Sequence, residues 1–325
     1  MANHLLEVID LKAYFITPSS VVKAVDGVSF HVDEKETLGI VGESGCGKTV
    51  TSLSILRLLP RPAGNIVGGK ILFEGMDILQ LSEKPLHSIR GGKISMILQD
   101  PMASLNPVFN IGNQLGEAIT THTTIKGTGL TARVIDMLKR VKIPSPEARI
   151  RDFPHQMSGG MKQRVVGAIS ISCHPQLLIA DEPTTSLDVT IQAQYLQLLK
   201  ELQAEFRMAL IFITHDFGIV ASMCDRVAVM YAGKIVETAP VRDIFFNPAH
   251  PYTAALLKAV PKLEADIDRL VSIKGQPPRL DKIPEGCSFS PRCPEAKDTC
   301  LIEMPPLVEI GKDHYSRCWK SHGRK

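Results

Sequence analysis

The chain has 325 residues, enough for about two domains of ordinary size, and its apolar content of 44% and charged content of 22% are typical of a globular protein. The net charge of +3 neither requires nor excludes a nucleic-acid partner, and without a long run of Lys or Arg we expect none. Because no stretch of 18 apolar residues occurs and the N-terminus lacks a secretory pattern, we expect a cytosolic protein with reduced thiols.

The first strong pattern in chain order is a phosphate-binding loop. An apolar run at residues 38–41 predicts a buried strand, residues 42–49 fit G-x-x-x-x-G-K-[ST], and the leucines of residues 50–59 predict a helix. In this context backbone N–H groups bind phosphate oxygens, Lys48 reaches the β- and γ-phosphates, and Thr49 holds Mg²⁺. The candidate nucleotide contacts are Gly42, Ser44, Gly45, Cys46, Gly47, Lys48, Thr49 and Val50.

The following residues predict an alternation of strands and helices. Strands are predicted at 94–98, 176–180 and 209–214, and helices within 111–150 and at 189–206. This alternation indicates an α/β sheet with ligand groups at the carboxyl ends of its strands.

An acidic pair, Asp181 and Glu182, ends the second of these predicted strands. Such a pair is the usual partner of a phosphate loop, in which Asp181 holds Mg²⁺ and Glu182 acts as general base toward the attacking water. Ser158, Gly159 and Gly160 precede a helical pattern and offer a second anion-binding helix start, although a plain turn is the alternative on these residues alone.

Six motifs occur in the order and spacing of an ATP-binding-cassette (ABC) ATPase, which residues 4 to about 240 resemble. They are the phosphate loop, Gln99, residues 157–164, residues 181–184, residues 186–188 and residues 214–216. The resemblance implies a P-loop NTPase of the ABC type, with an ATPase domain over residues 1–240, a helical signature subdomain at about 100–165, and a Cys/Pro-rich extension over 241–325.

The resemblance also implies roles for single residues. Gln99 is similar to the glutamine that senses Mg²⁺ and couples to the membrane partner, and the signature Ser158, Gly159 and Gly160 is similar to the one that contacts ATP held by the opposite subunit. Met157 replaces the usual leucine of that signature, and this swap conserves volume.

Three further roles come from the same resemblance. Asp188 is similar to the aspartate that communicates across the dimer, and His215 to the switch histidine near the γ-phosphate. Phe15 or its neighbour Tyr14 matches the aromatic residue that stacks on adenine, and both are also plausible as ordinary strand residues.

The C-terminal part resembles the extension of oligopeptide and dipeptide importer ATPases, through residues 247–253, 274–278 and 284–294, with residues 100–107 as an earlier match. The implied function is the ATP-hydrolysing, energy-coupling subunit of a peptide importer, peripheral on the cytoplasmic face of the membrane. Its implied partners are a second ATPase subunit (itself or a related chain), two transmembrane permease subunits and, indirectly, an extracytoplasmic solute-binding protein. Alternatives are import of nickel or another small solute, and a soluble ABC ATPase without a transport role.

Four cysteines, Cys287, Cys293, Cys300 and Cys318, crowd into this extension with 5, 6 and 17 residues between them. In a cytosolic protein such thiols are expected to be metal ligands rather than disulfides. Zinc favours tighter pairs, whereas spread thiolates suit an iron–sulfur cube, and the resemblance also points to a [4Fe–4S] cluster. Zinc and unligated thiols are the alternatives, and no residue of the sequence links these cysteines to the ATP site.

Overall fold

The computed structural model describes residues 4–100, 103–185, 187–260 and 272–323. Pro101, Met102 and Ser186, which belong to two of the motifs above, lie outside these residues. The strands are β1 (Leu6–Ile16), β2 (Val21–Val32), β3 (Thr37–Val41), β4 (Gly64–Phe73), β5 (Met76–Asp77), β6 (Ile94–Ile97), β7 (Leu177–Asp181), β8 (Ala209–Thr214), β9 (Arg226–Tyr231), β10 (Lys234–Pro240), β11 (Val308–Gly311) and β12 (His314–Ser316).

The helices alternate with these strands through the middle of the chain. They are α1 (Lys48–Ile55), α2 (Glu83–Ile89), α3 (Ile111–His122), α4 (Gly127–Arg140), α5 (Pro146–Arg149), α6 (Gly159–Ile171), α7 (Val189–Phe206), α8 (Phe217–Met223), α9 (Val241–Phe246), α10 (Pro251–Ala259) and α11 (Asp298–Ile302). Within the described ranges, none of the helices combines the length and apolar character that crossing a membrane requires.

The chain divides into two compact units. The first comprises Met1–Val32, Thr37–Leu79 and Ile213–Lys325, and the second comprises Asp33–Glu36 and Gln80–Phe212. The C-terminal extension therefore belongs to the first unit, together with the phosphate loop. The domain boundary at residue 240 stays a prediction.

The first unit contains an antiparallel sheet in the order β2-β1-β4-β5 and a second group of strands in the order β11-β12-β10-β9-β3. In the second group β3 and β9 are parallel, while the strands from β9 to β11 pair in antiparallel fashion. All five residues of β3 are buried, as the apolar run at 38–41 predicts. This strand leads directly into the phosphate loop, and the helix that follows the loop begins at Lys48 and ends at Ile55, earlier than the predicted 59.

The second unit places β6 and β7 side by side in parallel register, and β7 is buried along its whole length. The helical pattern of residues 111–150 forms the three helices α3, α4 and α5. The chain breaks helicity at Lys142 and Ser145, which both have positive φ values, and Pro146 starts the next helix. Met137 and Leu138 of α4 are fully buried and form its apolar face.

Candidate functional site

The phosphate loop joins β3 to α1, and two of its glycines are required by close backbone approach. A Cβ atom at Gly42 would lie 2.2 Å from the Met230 carbonyl oxygen, and one at Gly47 would lie 2.2 Å from that of Ala24. Gly47 also has φ +110° at the start of α1, where no side chain caps the helix. The N–H groups of the first helical turn therefore remain available for an anion.

Lys48 is the cation of this loop, and its side chain is buried. Its Nζ donates hydrogen bonds to the carbonyl oxygens of Gly42 at 2.8 Å and Glu43 at 3.1 Å. The ammonium group thus folds back over the loop. Burial raises the pKa of the adjacent Cys46 thiol, which therefore stays neutral beside Lys48.

The two candidate adenine contacts are neighbours on β1, so their side chains point to opposite faces of the sheet. The Tyr14 hydroxyl donates a hydrogen bond to Asp26 at 2.6 Å, and the same carboxylate pairs with Lys234 at 2.7 Å. Burial and this bond raise the pKa of Tyr14 to about 12. Phe15 packs against Gly64, where an added Cβ would lie 3.2 Å from its ring. Which of the two stacks on adenine stays a prediction.

His215 lies in the turn between β8 and α8, and its residue is exposed. Its neighbours fix this turn, since the Asp216 carboxylate accepts hydrogen bonds from the N–H groups of Gly218 at 2.7 Å and Ile219 at 3.3 Å. The Asp216 N–H in turn donates to the Thr214 hydroxyl at 3.0 Å. The backbone of this turn therefore holds the histidine at the carboxyl end of a strand.

In the second unit, Asp181 is the last residue of β7 and is completely buried. Glu182 follows with φ +45°, a left-handed conformation that is strained for a residue with a side chain. Its carboxylate accepts a hydrogen bond from the Thr185 hydroxyl at 3.2 Å, while Gln163 donates to the Pro183 carbonyl oxygen at 2.5 Å. Strain of this kind persists only where the surroundings hold it, and it is common at functional sites. Gln99 lies two residues beyond β6 and is exposed.

The signature residues and Asp188 share one open cavity of about 540 Å³ in the second unit. Ser158 caps α6 by accepting a hydrogen bond from the Met161 N–H at 3.3 Å, and Asp188 caps α7 by accepting one from the Ile191 N–H at 3.0 Å. The cations Lys142 and Arg164 also line this cavity. The start of α6 together with two cations makes the cavity suitable for an anion.

The four cysteines of the extension line a single cavity of about 300 Å³. The Cys287 N–H donates a hydrogen bond to the Cys300 carbonyl oxygen at 2.8 Å, which brings two of the loops together. Burial, together with the neighbouring thiols of Cys300, Cys318 and Cys293, raises the pKa of the Cys287 thiol to about 11. Residues that are distant in sequence therefore converge on one thiol-rich cavity.

The extension also contacts the phosphate loop, and Arg292, which directly precedes Cys293, corrects the expectation that no residue links these cysteines to the ATP site. The Arg292 guanidinium binds both carboxylate oxygens of Glu43 at 2.6 and 2.9 Å. The Tyr252 hydroxyl accepts a hydrogen bond from the Glu43 N–H at 3.0 Å. Sequence reasoning missed these residues because the pairs lie 249 and 209 positions apart, and no local pattern marks such a contact.

Comparison with known protein families gives two matches along the chain. The profile described as ABC transporter matches residues 25–185, and the profile described as oligopeptide/dipeptide transporter, C-terminal region, matches residues 236–300.

Curated proteins match over nearly the whole chain. The chain is 50% identical to the probable peptide ABC transporter ATP-binding protein y4tR of Sinorhizobium fredii, over 99% of this chain and 96% of that protein. It is 50% identical to the oligopeptide transport ATP-binding protein OppD of Bacillus subtilis, over 98% and 90% of the two chains, and 46% identical to OppD of Salmonella typhimurium, over 98% and 94%.

Solved structures agree with this assignment at the level of the fold. The ATP-binding cassette MJ0796, in a structure bound to ADP and Pi, aligns with a TM-score of 0.65 at 22% identity, over 73% of this chain and 99% of that one. CbiO1 of Clostridium perfringens aligns with a TM-score of 0.65 at 27% identity, over 75% and 92%. The chain therefore belongs to the ATP-binding proteins of ABC transporters, in the group with the oligopeptide/dipeptide transporter C-terminal region.

Proposed function

We propose that this chain is the ATP-hydrolysing, energy-coupling subunit of an importer for dipeptides or oligopeptides. The observation that carries the proposal is the 50% identity over 98% of the chain to a protein named for oligopeptide transport. The identity extends through the C-terminal extension, which a single ATPase domain does not need. The phosphate loop and the buried strand end at Asp181 supply groups that ATP hydrolysis requires.

ATP is the substrate, and the phosphate loop binds its phosphates. The N–H groups at the start of α1 and the Lys48 ammonium neutralise the β- and γ-phosphates, and Lys48 exchanges its carbonyl contacts for phosphate oxygens. Thr49, Gln99 and Asp181 offer hydroxyl, amide and carboxylate oxygens, the hard donor set that Mg²⁺ prefers. When bound there, Mg²⁺ neutralises charge that develops on the phosphates.

Glu182 accepts the proton of the attacking water, because its carboxylate follows the buried Asp181 at the end of β7. His215 donates a hydrogen bond toward the γ-phosphate oxygens, and Tyr14 or Phe15 stacks on adenine. Ser158, Gly159, Gly160 and Asp188 act on ATP that a second ATPase subunit holds. Two subunits close around ATP and drive two permease subunits, to which an extracytoplasmic binding protein delivers the solute.

The test is ATP turnover by the intact complex, purified from membranes through this chain and reconstituted in vesicles. We expect permease subunits to co-purify, and we expect turnover to rise with peptides in the presence of the binding protein. The Lys48→Ala complex is the control and should not bind or hydrolyse ATP. Stimulation by nickel but not by peptides would replace the proposed solute, and a chain that purifies without any permease would overturn the transport role.

For the thiol cavity we propose a [4Fe–4S] cluster. A [4Fe–4S] cluster is held by four cysteine thiolates, and the cavity contains four cysteines. Four thiolates this close together repel one another unless a cationic group binds between them. Among the described residues, no three of these sulfur atoms lie within 4.8 Å of one another. A single zinc ion with Zn–S bonds of about 2.3 Å needs sulfur atoms about 3.8 Å apart. The wider spacing of these sulfur atoms therefore favours a [4Fe–4S] cluster over a single zinc ion.

Anaerobic purification of the full chain is expected to yield a brown protein with iron and sulfide in equal amounts. The Cys293→Ser/Cys300→Ser variant should lose both, whereas Cys173→Ser, which removes a thiol outside the cavity, should retain them. Colourless anaerobic protein that contains one zinc per chain and no iron would refute the cluster and leave the ATPase proposal intact.

A further inference from the structure

Glu43 lies inside the phosphate loop, and the C-terminal extension fixes it at several atoms. Its carboxylate accepts hydrogen bonds from both terminal nitrogens of the Arg292 guanidinium, and its backbone N–H donates one to the Tyr252 hydroxyl. Its carbonyl oxygen accepts from Lys48. A bidentate charge-assisted pair fixes direction as well as distance, so the second residue of the loop has little freedom.

Arg292 itself is held from several sides. Its side chain is only 3% exposed, its Nε donates to the Lys274 carbonyl oxygen at 3.1 Å, and one terminal nitrogen donates to the Tyr231 hydroxyl at 3.3 Å. An arginine side chain is always protonated in proteins, so Arg292 carries a positive charge. Glu43 is 27% exposed, so the pair is partly buried and is less screened by solvent than a fully exposed ion pair.

An aromatic cluster anchors the two residues that contact Glu43. The rings of Tyr231 and Tyr252 have centroids 4.5 Å apart, and Phe289 lies 5.3 Å from each of them. All three side chains are almost completely buried. The contact between extension and loop is thus built on a packed core and not on flexible surface groups.

We propose that Arg292 is a positioning residue of the phosphate loop, through which the C-terminal extension sets the affinity for ATP. The pair holds residue 43 in place, so the loop N–H groups converge before the phosphates arrive and less ordering is needed on binding. It also neutralises a carboxylate that otherwise repels the triphosphate. Arg292 lies outside the phosphate loop and reaches it through Glu43. The inference rests on the proposed function, because it requires ATP to occupy the loop.

The test measures ATP affinity of the full chain and the KM and kcat of the intact complex. Arg292→Gln is expected to raise both the Kd and the KM for ATP about tenfold, since a charged hydrogen-bonded pair is lost, while kcat changes less than about twofold. Arg292→Lys keeps the positive charge but cannot make the two parallel hydrogen bonds of a guanidinium, and it should give an intermediate Kd for ATP. Arg279→Gln is the matched control, because Arg279 makes a similar bidentate pair with Asp281 in the same extension but is 76% exposed.

A double-mutant cycle with Glu43→Gln shows whether Arg292 and Glu43 affect the Kd for ATP together, as a pair, or independently. The Arg292→Gln/Glu43→Gln protein is expected to bind ATP no more weakly than Arg292→Gln alone. A loss of structure alone would reduce the number of ATP sites per chain and leave their Kd unchanged, which overturns the proposal. It is also overturned if Arg292→Gln, or Arg292→Lys where the former does not fold, binds ATP as the parent does. Binding by the parent and its loss in Lys48→Ala test the proposed function separately.

Discussion

Replacement of Glu182 by glutamine is expected to leave ATP binding unchanged and to lower steady-state turnover in the intact complex by roughly a hundredfold or more. Glutamine has the same shape and can accept the Thr185 hydroxyl hydrogen bond, so the strained turn after β7 persists. The amide has no basic oxygen that takes up the proton of the attacking water. The measurement pairs ATP affinity with phosphate release.

Two variants serve as controls for Glu182→Gln. Lys48→Ala should lose ATP binding itself, which shows that the two residues act at different steps. Glu147→Gln removes an exposed carboxylate of the same unit, which pairs with Lys139 at 2.7 Å, and should leave turnover at the parent level. Undiminished phosphate release in the Glu182→Gln complex would show that another group serves as the base.

The second large effect is expected at the signature. In the Glu182→Gln background, Ser158→Ala/Gly159→Val should abolish ATP-dependent dimers while each chain still binds ATP. Ser158 and Gly159 line the signature cavity, and we expect a branched side chain at residue 159 to obstruct anion binding at the start of α6. Light scattering with and without ATP measures the dimer fraction.

Asn110→Ala is the matched control for this variant, because Ser158 also caps a helix. The Asn110 side chain caps α3 by accepting the Asn113 N–H at 2.8 Å, so its loss costs about 1 kcal/mol, as the loss of Ser158 does. Asn110→Ala should dimerise as the background protein does. Equal dimer fractions in the signature variant would contradict a contact with the opposite subunit. If the background protein stays monomeric, the measurement uses the pair of this chain and the related ATPase that co-purifies.

The sequence predicts β3, the phosphate loop and β7 because their signals are local. An apolar run that is buried on both faces marks β3 and β7, and the glycines of residues 42–47 are fixed by the loop conformation. The residues that follow each strand then fall at its carboxyl end. The stretch of residues 111–150 is helical as predicted, but the sequence does not show where α4 ends, since the positive φ values of Lys142 and Ser145 occur at residues other than glycine.

The contacts between the C-terminal extension and the phosphate loop could not be predicted from the sequence. Cys287 and Cys318 line one cavity, which their spacing suggested, but the metal in it stays a proposal. The Arg292–Glu43 pair joins two segments through tertiary packing, and an arginine in a Pro-rich segment is ordinarily a solvent-exposed residue. Only the three-dimensional arrangement distinguishes Arg292 from Arg279, which has a similar partner and a different environment.

The two C-terminal strands also change what can be removed from the chain. β12 pairs with β10 through Glu237 and Thr238, and the buried Glu237 carboxylate accepts a hydrogen bond from His314 at 2.8 Å. A chain shortened to residue 240 would present β10 as a bare strand edge, open to pairing with other molecules. The extension thus covers this strand edge, and a chain shortened to residue 240 is expected to aggregate more readily than the full chain.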